Sequence, residues 1–405
     1  MTNLGLPRAE RPEEIGLSSE RLERATAKIK EDVERGLIPG AVLVIARAGR
    51  VGYAEAIGYR DREASAPMAL DSIFRIASMT KPMVSVAAMM LAEEGRLDLG
   101  APVADYIPEF GALTVGVQRR PVQRAMTVQD LLRHTSGLTY APFGDTPVQM
   151  IWREAGLSDD SQTNADLVGK LARLPLLFEP GTTWEYSMST DVLGRVVEVA
   201  SGQGLAEHIR ERICVPLGMA DTGFDAIGKG DRVANAQKGA DGQRPPMRDP
   251  SKPIAWASGG GGLVSTAHDY LRFCQAPLNG GVLDGTRLLA PKSVAHMASD
   301  HLPPGCEYGG TTRSRFGALA PVPEMGYGFG LGFCVRKAPG MSPVPGSVGE
   351  FFWGGVHGTY FWIDPHERLI TVVMMQAPEH RLRYRYLSRH LVYAAITGPA
   401  RRGYR

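Results

Sequence analysis

The chain is poor in cysteine, carries no excess of either charge and has no long apolar run. Its four cysteines, Cys214, Cys274, Cys306 and Cys334, show no Cys-x-x-Cys spacing. That excludes a disulfide framework and a zinc ribbon, and it fits reduced or structural thiols. Lysine and arginine number 45 against 43 aspartate and glutamate, a net charge of +2, so nucleic acid is not the expected partner. No stretch reaches the roughly 18 apolar residues a membrane-spanning helix needs. The first residues, Met1 to Glu14, are polar, with Pro7, Arg8 and Arg11, and lack the apolar centre of a secretory signal. The expectation is a protein of the cytoplasm. Several chemistries are absent too. None of the nine histidines stands in His-Glu-x-x-His, no Gly-x-x-x-x-Gly-Lys occurs, and no serine stands in Gly-x-Ser-x-Gly, so the nucleophile elbow of the α/β-hydrolases is missing. No metal or organic cofactor is implied.

What is present is a chain of 405 residues, 43% hydrophobic and 22% charged, enough for a large core and too apolar for wholesale disorder. The 48 glycines and 29 prolines have no triplet period and imply many turns and long loops. Leu22, Ala25, Ile29 and Val33 recur at helical spacing behind a Ser cap, predicting a helix over 18–35 that ends at Gly36. Ala41–Ala46 and Val51–Tyr59, split by Ala48-Gly49-Arg50, predict a hairpin. Met79–Ala92 is apolar or small except for Lys81, the pattern of a fully buried helix. Helical spacing continues through 127–133, 163–175 and 189–201. Strand signals return in Gly259–Ser265, Tyr327–Val335, Gly349–Ile363 and Arg368–Gln376, and an amphipathic helix closes the chain at about 382–396. Residues 301–326 form a long loop rich in glycine and proline, either a pocket wall or a surface excursion. Helix, hairpin, helical block, strands and helix in that order predict an α+β fold. An antiparallel sheet (residues 1–98 and 195–405) is flanked by the terminal helices, and a mainly helical domain (99–194) is inserted.

One constellation carries chemistry. Ser78-Met79-Thr80-Lys81 puts a hydroxyl and an amine one turn apart on a helix face. An amine removed from water yields its proton more readily, which suits it to take one from serine. The helix N-terminus also favours negative charge developing at Ser78. Read alone, the tetrapeptide is equally a helix-capping serine with a snorkelling lysine.

The surroundings decide. Phe74-Arg75-Ile76-Ala77-Ser78-Met79-Thr80-Lys81 resembles the active-site motif of the serine β-lactamase and penicillin-binding-protein superfamily, class C branch. Thr127–Leu138, with its His134-Thr135-Ser136-Gly137-Leu138 ending, Pro180-Gly181 through Tyr186-Ser187, and Gly260–Thr266 match further motifs of that branch in order, over about residues 20 to 395. Two positions depart from its β-lactamases. Tyr186-Ser187-Met188 stands where they have Tyr-x-Asn, and Trp353-Gly354-Gly355 where they have Lys-Thr-Gly. The second change is similar to the family VIII carboxylesterases, and to acyltransferases related to them.

The resemblance implies a serine hydrolase that passes through an acyl-enzyme. Ser78 is the nucleophile and Lys81 and Tyr186 manage the protons. The backbone N–H groups of Ser78 and Val356 hold the oxyanion. Gly354 and Gly355 let substrate approach, Trp353 walls the acyl pocket, and His357 is a further candidate for the lining. An indole in place of an ammonium favours short neutral esters over anionic β-lactams. The alternatives left open are a class C-like β-lactamase, a D-amino-acid peptidase and an acyltransferase. His134 is expected to be structural and Lys292 solvated.

Overall fold

A computed structural model describes residues 5–398. Residues 1–4 of the polar N-terminal stretch and the arginines Arg401, Arg402 and Arg405 lie outside the described residues. The centre is an eight-stranded antiparallel sheet. Its order is Tyr327–Phe329, Cys334–Arg336, Phe351–Gly354, Tyr360–Asp364, Leu369–Met375, Gly40–Arg47, Arg50–Asp61 and Ala66–Pro67. The first strand of the chain thus pairs with its last, Ala41 opposite Met375 and Arg47 opposite Leu369. Gly40–Arg47 and Leu369–Met375 are buried at every position, which is why both read as unbroken apolar runs rather than alternating ones.

The first helix, Ser19–Glu34, is capped by Ser18, which accepts from the Arg21 N–H, and it packs on the C-terminal helix Arg381–Ala394. Helix Ala267–Leu278 covers Gly40–Arg47 and Leu369–Met375. Between the sheet-forming segments the chain is helical, as its spacing predicts, with Val128–Leu132, Pro147–Arg153, Asn164–Leu171 and Ser189–Ser201. Capping boxes at Thr127–Asp130 and Thr163–Asp166 start two of these helices. No helix among the described residues is long and apolar enough to cross a membrane. All four cysteines are free.

Three strand predictions were too long, for a shared reason. Tyr327–Val335 is two strands, Tyr327–Phe329 and Cys334–Arg336, and Gly349–Ile363 is also two, Phe351–Gly354 and Tyr360–Asp364. In each case glycine turns the chain inside the apolar run, at Gly332 (φ 93°) and Gly358 (φ 112°). Only Val264–Ser265 of the third run is strand. Gly259–Gly262 is a turn, and it is used by the site.

Candidate active site

Ser78 lies in a single tight turn, Ala77–Met79, just ahead of the buried helix Thr80–Glu93. Phe74–Arg75 pairs with Val264–Ser265 and delivers the chain into this turn. Ala77 takes a left-handed φ of 46°, a conformation that an alanine holds only when its surroundings enforce it. They do so through four hydrogen bonds. The Ile76 N–H donates to Leu263 O at 3.1 Å and the Leu263 N–H to Thr80 Oγ1 at 3.1 Å. Tyr270 Oη donates to Met79 O at 2.8 Å and Thr359 Oγ1 to Ile76 O at 3.1 Å.

Lys81, one turn on, is 1% exposed. Its ammonium donates to Gly260 O at 2.6 Å, to Tyr140 Oη at 3.0 Å and, at the edge of hydrogen-bond range, to Ser78 Oγ at 3.5 Å. It also lies 4.6 Å from the ring centroid of Tyr186. The Gly260 N–H donates to Asp191 Oδ1 at 2.9 Å, and the same oxygen accepts from Ser258 Oγ at 2.6 Å. A Cβ on Gly260 would run into the Asp191 carboxylate, so glycine is what lets this turn reach the lysine. Burial raises the Asp191 pKa, and the charge of Lys81 opposes that rise. Burial also drives the Tyr140 phenol well above its ordinary value, with Asp191 and Tyr186 adding to the effect.

Tyr186 shares the cavity with Ser78 and is held in an aromatic cage. His134, Trp353 and Phe316 have centroids 4.9, 5.2 and 5.4 Å from its ring. Trp353 is 3% exposed, and its indole N–H donates to Tyr186 Oη at 3.2 Å. Trp353, expected to wall the acyl pocket, is not itself among the residues lining this cavity, though it packs on Tyr186 and Phe316, which are. Along the strand Phe351–Gly354 its side chain is buried against Tyr186, and Gly354 is the position that lines the cavity. His134 is buried with a left-handed φ of 59°. Burial, and then the charge of Lys81, push its pKa well below the usual histidine range, so it packs against Tyr186 as a neutral ring. His357 is also not among the lining residues. Its carbonyl accepts from the Ala377 N–H at 2.7 Å, and burial, with Arg75 nearby, lowers its pKa to about 4. Lys292 is exposed near the start of helix Pro291–Met297.

The strand Phe351–Gly354 runs past Gly355 to Val356, which lines the same cavity as Ser78. A Cβ on Gly355 would strike the Ile76 carbonyl and the Thr359 hydroxyl, so this residue sets how closely the two segments meet. Among the described residues neither the Ser78 nor the Val356 amide N–H has an acceptor within the chain. The cavity measures about 50 Å³. Ser78, Tyr186, Gly354 and Val356 supply its polar and backbone surface and Phe143 and Phe316 its apolar walls, while Arg315, Arg381 and Arg385 complete it. Phe316 and Arg315 come from helix Thr312–Phe316 in the long loop, which makes that loop a pocket wall. A larger groove of about 620 Å³, between Gly36–Pro39, residues 236–246 and Gln376–His380, holds none of these groups. Among the described residues no cluster of histidine, cysteine or carboxylate side chains could hold a metal ion.

Tyr140, Asp191 and the three arginines were not singled out from the sequence. Tyr140 had a signal, since it follows the His134–Leu138 motif by two residues. Asp191 had one as well, an acidic residue on the buried face of helix Ser189–Ser201.

An antiparallel sheet with a Ser-x-x-Lys turn leading into a buried helix is the architecture of the serine β-lactamases and penicillin-binding proteins. The chain belongs to the Beta-lactamase family, whose sequence model matches residues 25–394. Esterase EstB of Burkholderia gladioli is 36% identical over 82% of this chain and 84% of its own length. Lovastatin esterase of Penicillium rubens is 30% identical, over 85% and 90%. Among solved structures, EstCE1, described as a hydrolase with promiscuous acyltransferase activity, superposes with a TM-score of 0.79. It is 28% identical, and the match covers 92% of this chain and 99% of EstCE1.

Proposed function

We propose that this chain is a serine carboxylesterase that cleaves small esters through an acyl-enzyme. The observation that carries the reading is the ammonium of Lys81 at 3.5 Å from Ser78 Oγ, beneath a small cavity shared with Tyr186 and Val356. Ser78 Oγ attacks the ester carbonyl carbon and its proton passes to Tyr186 Oη. Tyr186 takes that proton as the phenolate. Lys81 lies over the ring, and the Trp353 indole donates a hydrogen bond to the oxygen. The Ser78 and Val356 amides receive the carbonyl oxygen as it becomes negative, a contribution of roughly 3–4 kcal/mol per well-placed donor. Collapse of the tetrahedral intermediate expels the alcohol, which takes the proton from Tyr186. Water then attacks the acyl-enzyme by the same steps in reverse. A cavity of about 50 Å³ admits only a short group beside the reacting carbon. The names of the relatives support ester cleavage. The promiscuous acyltransferase activity of EstCE1 favours a second outcome at the same site, release of the acyl group onto an alcohol in place of water.

The test is Ser78→Ala. It should abolish turnover of 4-nitrophenyl acetate and labelling by a fluorophosphonate, with the fold intact by circular dichroism. Removal of a nucleophile commonly costs several orders of magnitude in rate. Substantial ester turnover by clean Ser78→Ala protein would refute the mechanism. Faster turnover of a chromogenic cephalosporin than of every short ester would replace it with β-lactam hydrolysis.

A further inference from the structure

We infer that the catalytic cavity contains a carboxylate-binding subsite built from Arg381, Arg385 and Arg315, so that the favoured substrates are esters that themselves carry a carboxylate; this rests on the esterase reading above. Arg381 and Arg385 are one turn apart on the C-terminal helix, the spacing that puts two side chains on one face. Arg315 comes from the wall opposite, in helix Thr312–Phe316. All three line the same cavity as Ser78.

Their partners make the case. Four arginines are buried among the described residues: Arg47, Arg336, Arg385 and Arg389. Three are paired with glutamate: Arg47 with Glu367 at 2.5 Å, Arg336 with Glu350 at 2.9 Å and Arg389 with Glu350 at 2.7 Å. Among the described residues Arg385 has no carboxylate partner. One nitrogen, Nη2, donates to Gly355 O at 2.7 Å, and its Nε–H is buried with no acceptor. Arg381 Nη1 reaches only the Pro378 carbonyl, at 3.1 Å. Arg315 bonds Thr311 Oγ1 and Pro142 O, both at 3.2 Å, and stacks on Phe143. The charge of Glu185 acts on it from a distance, and the two form no ion pair. Among the described residues, the three guanidinium groups around this cavity of about 50 Å³ therefore make no ion pair.

A buried guanidinium left unpaired is costly, and a planar carboxylate matches its fork of donors. The size of the cavity keeps that carboxylate within a few carbons of the carbonyl under attack. The lost ammonium of the Lys-Thr-Gly motif is thereby replaced by cations from other elements, which reverses the preference for neutral esters expected from Trp353.

The experiment compares kcat/KM for 4-nitrophenyl hemiglutarate and 4-acetoxybenzoate, with the carboxylate on the acid and alcohol parts respectively, against the neutral 4-nitrophenyl butyrate and phenyl acetate. Each rate is divided by its hydroxide-catalysed rate. At least one anionic ester should be preferred about tenfold or more, and Arg381→Gln should lower that ratio by a similar factor. Calorimetric titration of glutarate into the Ser78→Ala protein reads the subsite without turnover. Binding that weakens in Ser78→Ala/Arg381→Gln protein supports it even if no ester is cleaved, an outcome that would refute the esterase reading alone. Ratios near one, unchanged by Arg381→Gln, together with no measurable glutarate binding, overturn the subsite.

Discussion

Replacing Tyr186 by phenylalanine deletes one oxygen to which two parts are assigned. It is the proposed proton carrier, and it accepts from the buried Trp353 N–H at 3.2 Å. Loss of a general acid–base group lowers kcat about 10²- to 10⁴-fold. Loss of the acceptor strands an indole N–H on a residue that is 3% exposed, which costs about 1–3 kcal/mol. Spread over the unfolding entropy of 405 residues, that is a fall in Tm of roughly 1–4 °C. The rest of the aromatic cage is unchanged, so the two effects can be separated. Trp353→Phe removes the donor, and the double variant removes both partners. The cycle of four proteins, followed by urea unfolding, should give a favourable coupling of about 1–2 kcal/mol between the two side chains. The activity loss should persist in the double variant. Zero coupling would deny the hydrogen bond any energetic content. Activity of Tyr186→Phe within tenfold of the parent would remove Tyr186 from the proton path.

Gly355→Ala should cost at least ~2 kcal/mol and reduce kcat/KM more than about 100-fold, because the new methyl meets the Ile76 carbonyl that supports the nucleophile turn; Gly310→Ala, which has open space around it, is the control, and equal behaviour of the two would refute the packing argument. Burial pushes the Glu185 pKa up to about 7 while Thr139 Oγ1 donates to it. The folded protein thus holds a proton there that the unfolded chain has already lost. Stability should fall by about 3 kcal/mol as pH rises from 4.5 to 7 and then level off. Glu185→Gln should abolish this slope in urea unfolding, and parallel profiles for the two proteins would contradict it.

The fold was legible where periodicity and burial agree. Ser19–Glu34 has a polar face and a cap, and Gly40–Arg47 is apolar throughout, so both could be placed from the residues. It was less legible where glycine turns the chain within an apolar run, as at Gly332 and Gly358, since composition does not distinguish a long strand from two short ones. Lys81 was conspicuous as the lone charge in an apolar helix, and Ser78 followed from the spacing. Asp191 and Tyr140 reach Lys81 only through tertiary packing. The motif position of Trp353 states which strand the residue occupies and says nothing of which side of the cavity that strand presents. Arg381 and Arg385 were hidden in a helix with many arginines, where Arg383 and Arg389 are tied to Asp32 and Glu350. Ion pairing, which the sequence does not show, separates Arg381 and Arg385 from the other two.

The pairing of Gly40–Arg47 with Leu369–Met375 also sets the timetable of biosynthesis. Roughly 320 residues separate the two strands, and at about 5–20 residues per second the ribosome needs on the order of 15–65 s to deliver the second after the first. Throughout that interval Gly40–Arg47 has the hairpin with Arg50–Asp61 on one edge and an unfilled, wholly apolar edge on the other. Such an edge recruits foreign strands. The nascent chain is therefore prone to aggregate until Leu369–Met375 emerges, and a stop codon between Tyr186 and Leu369 leaves a polypeptide that contains Ser78, Lys81 and Tyr186 yet cannot close its sheet.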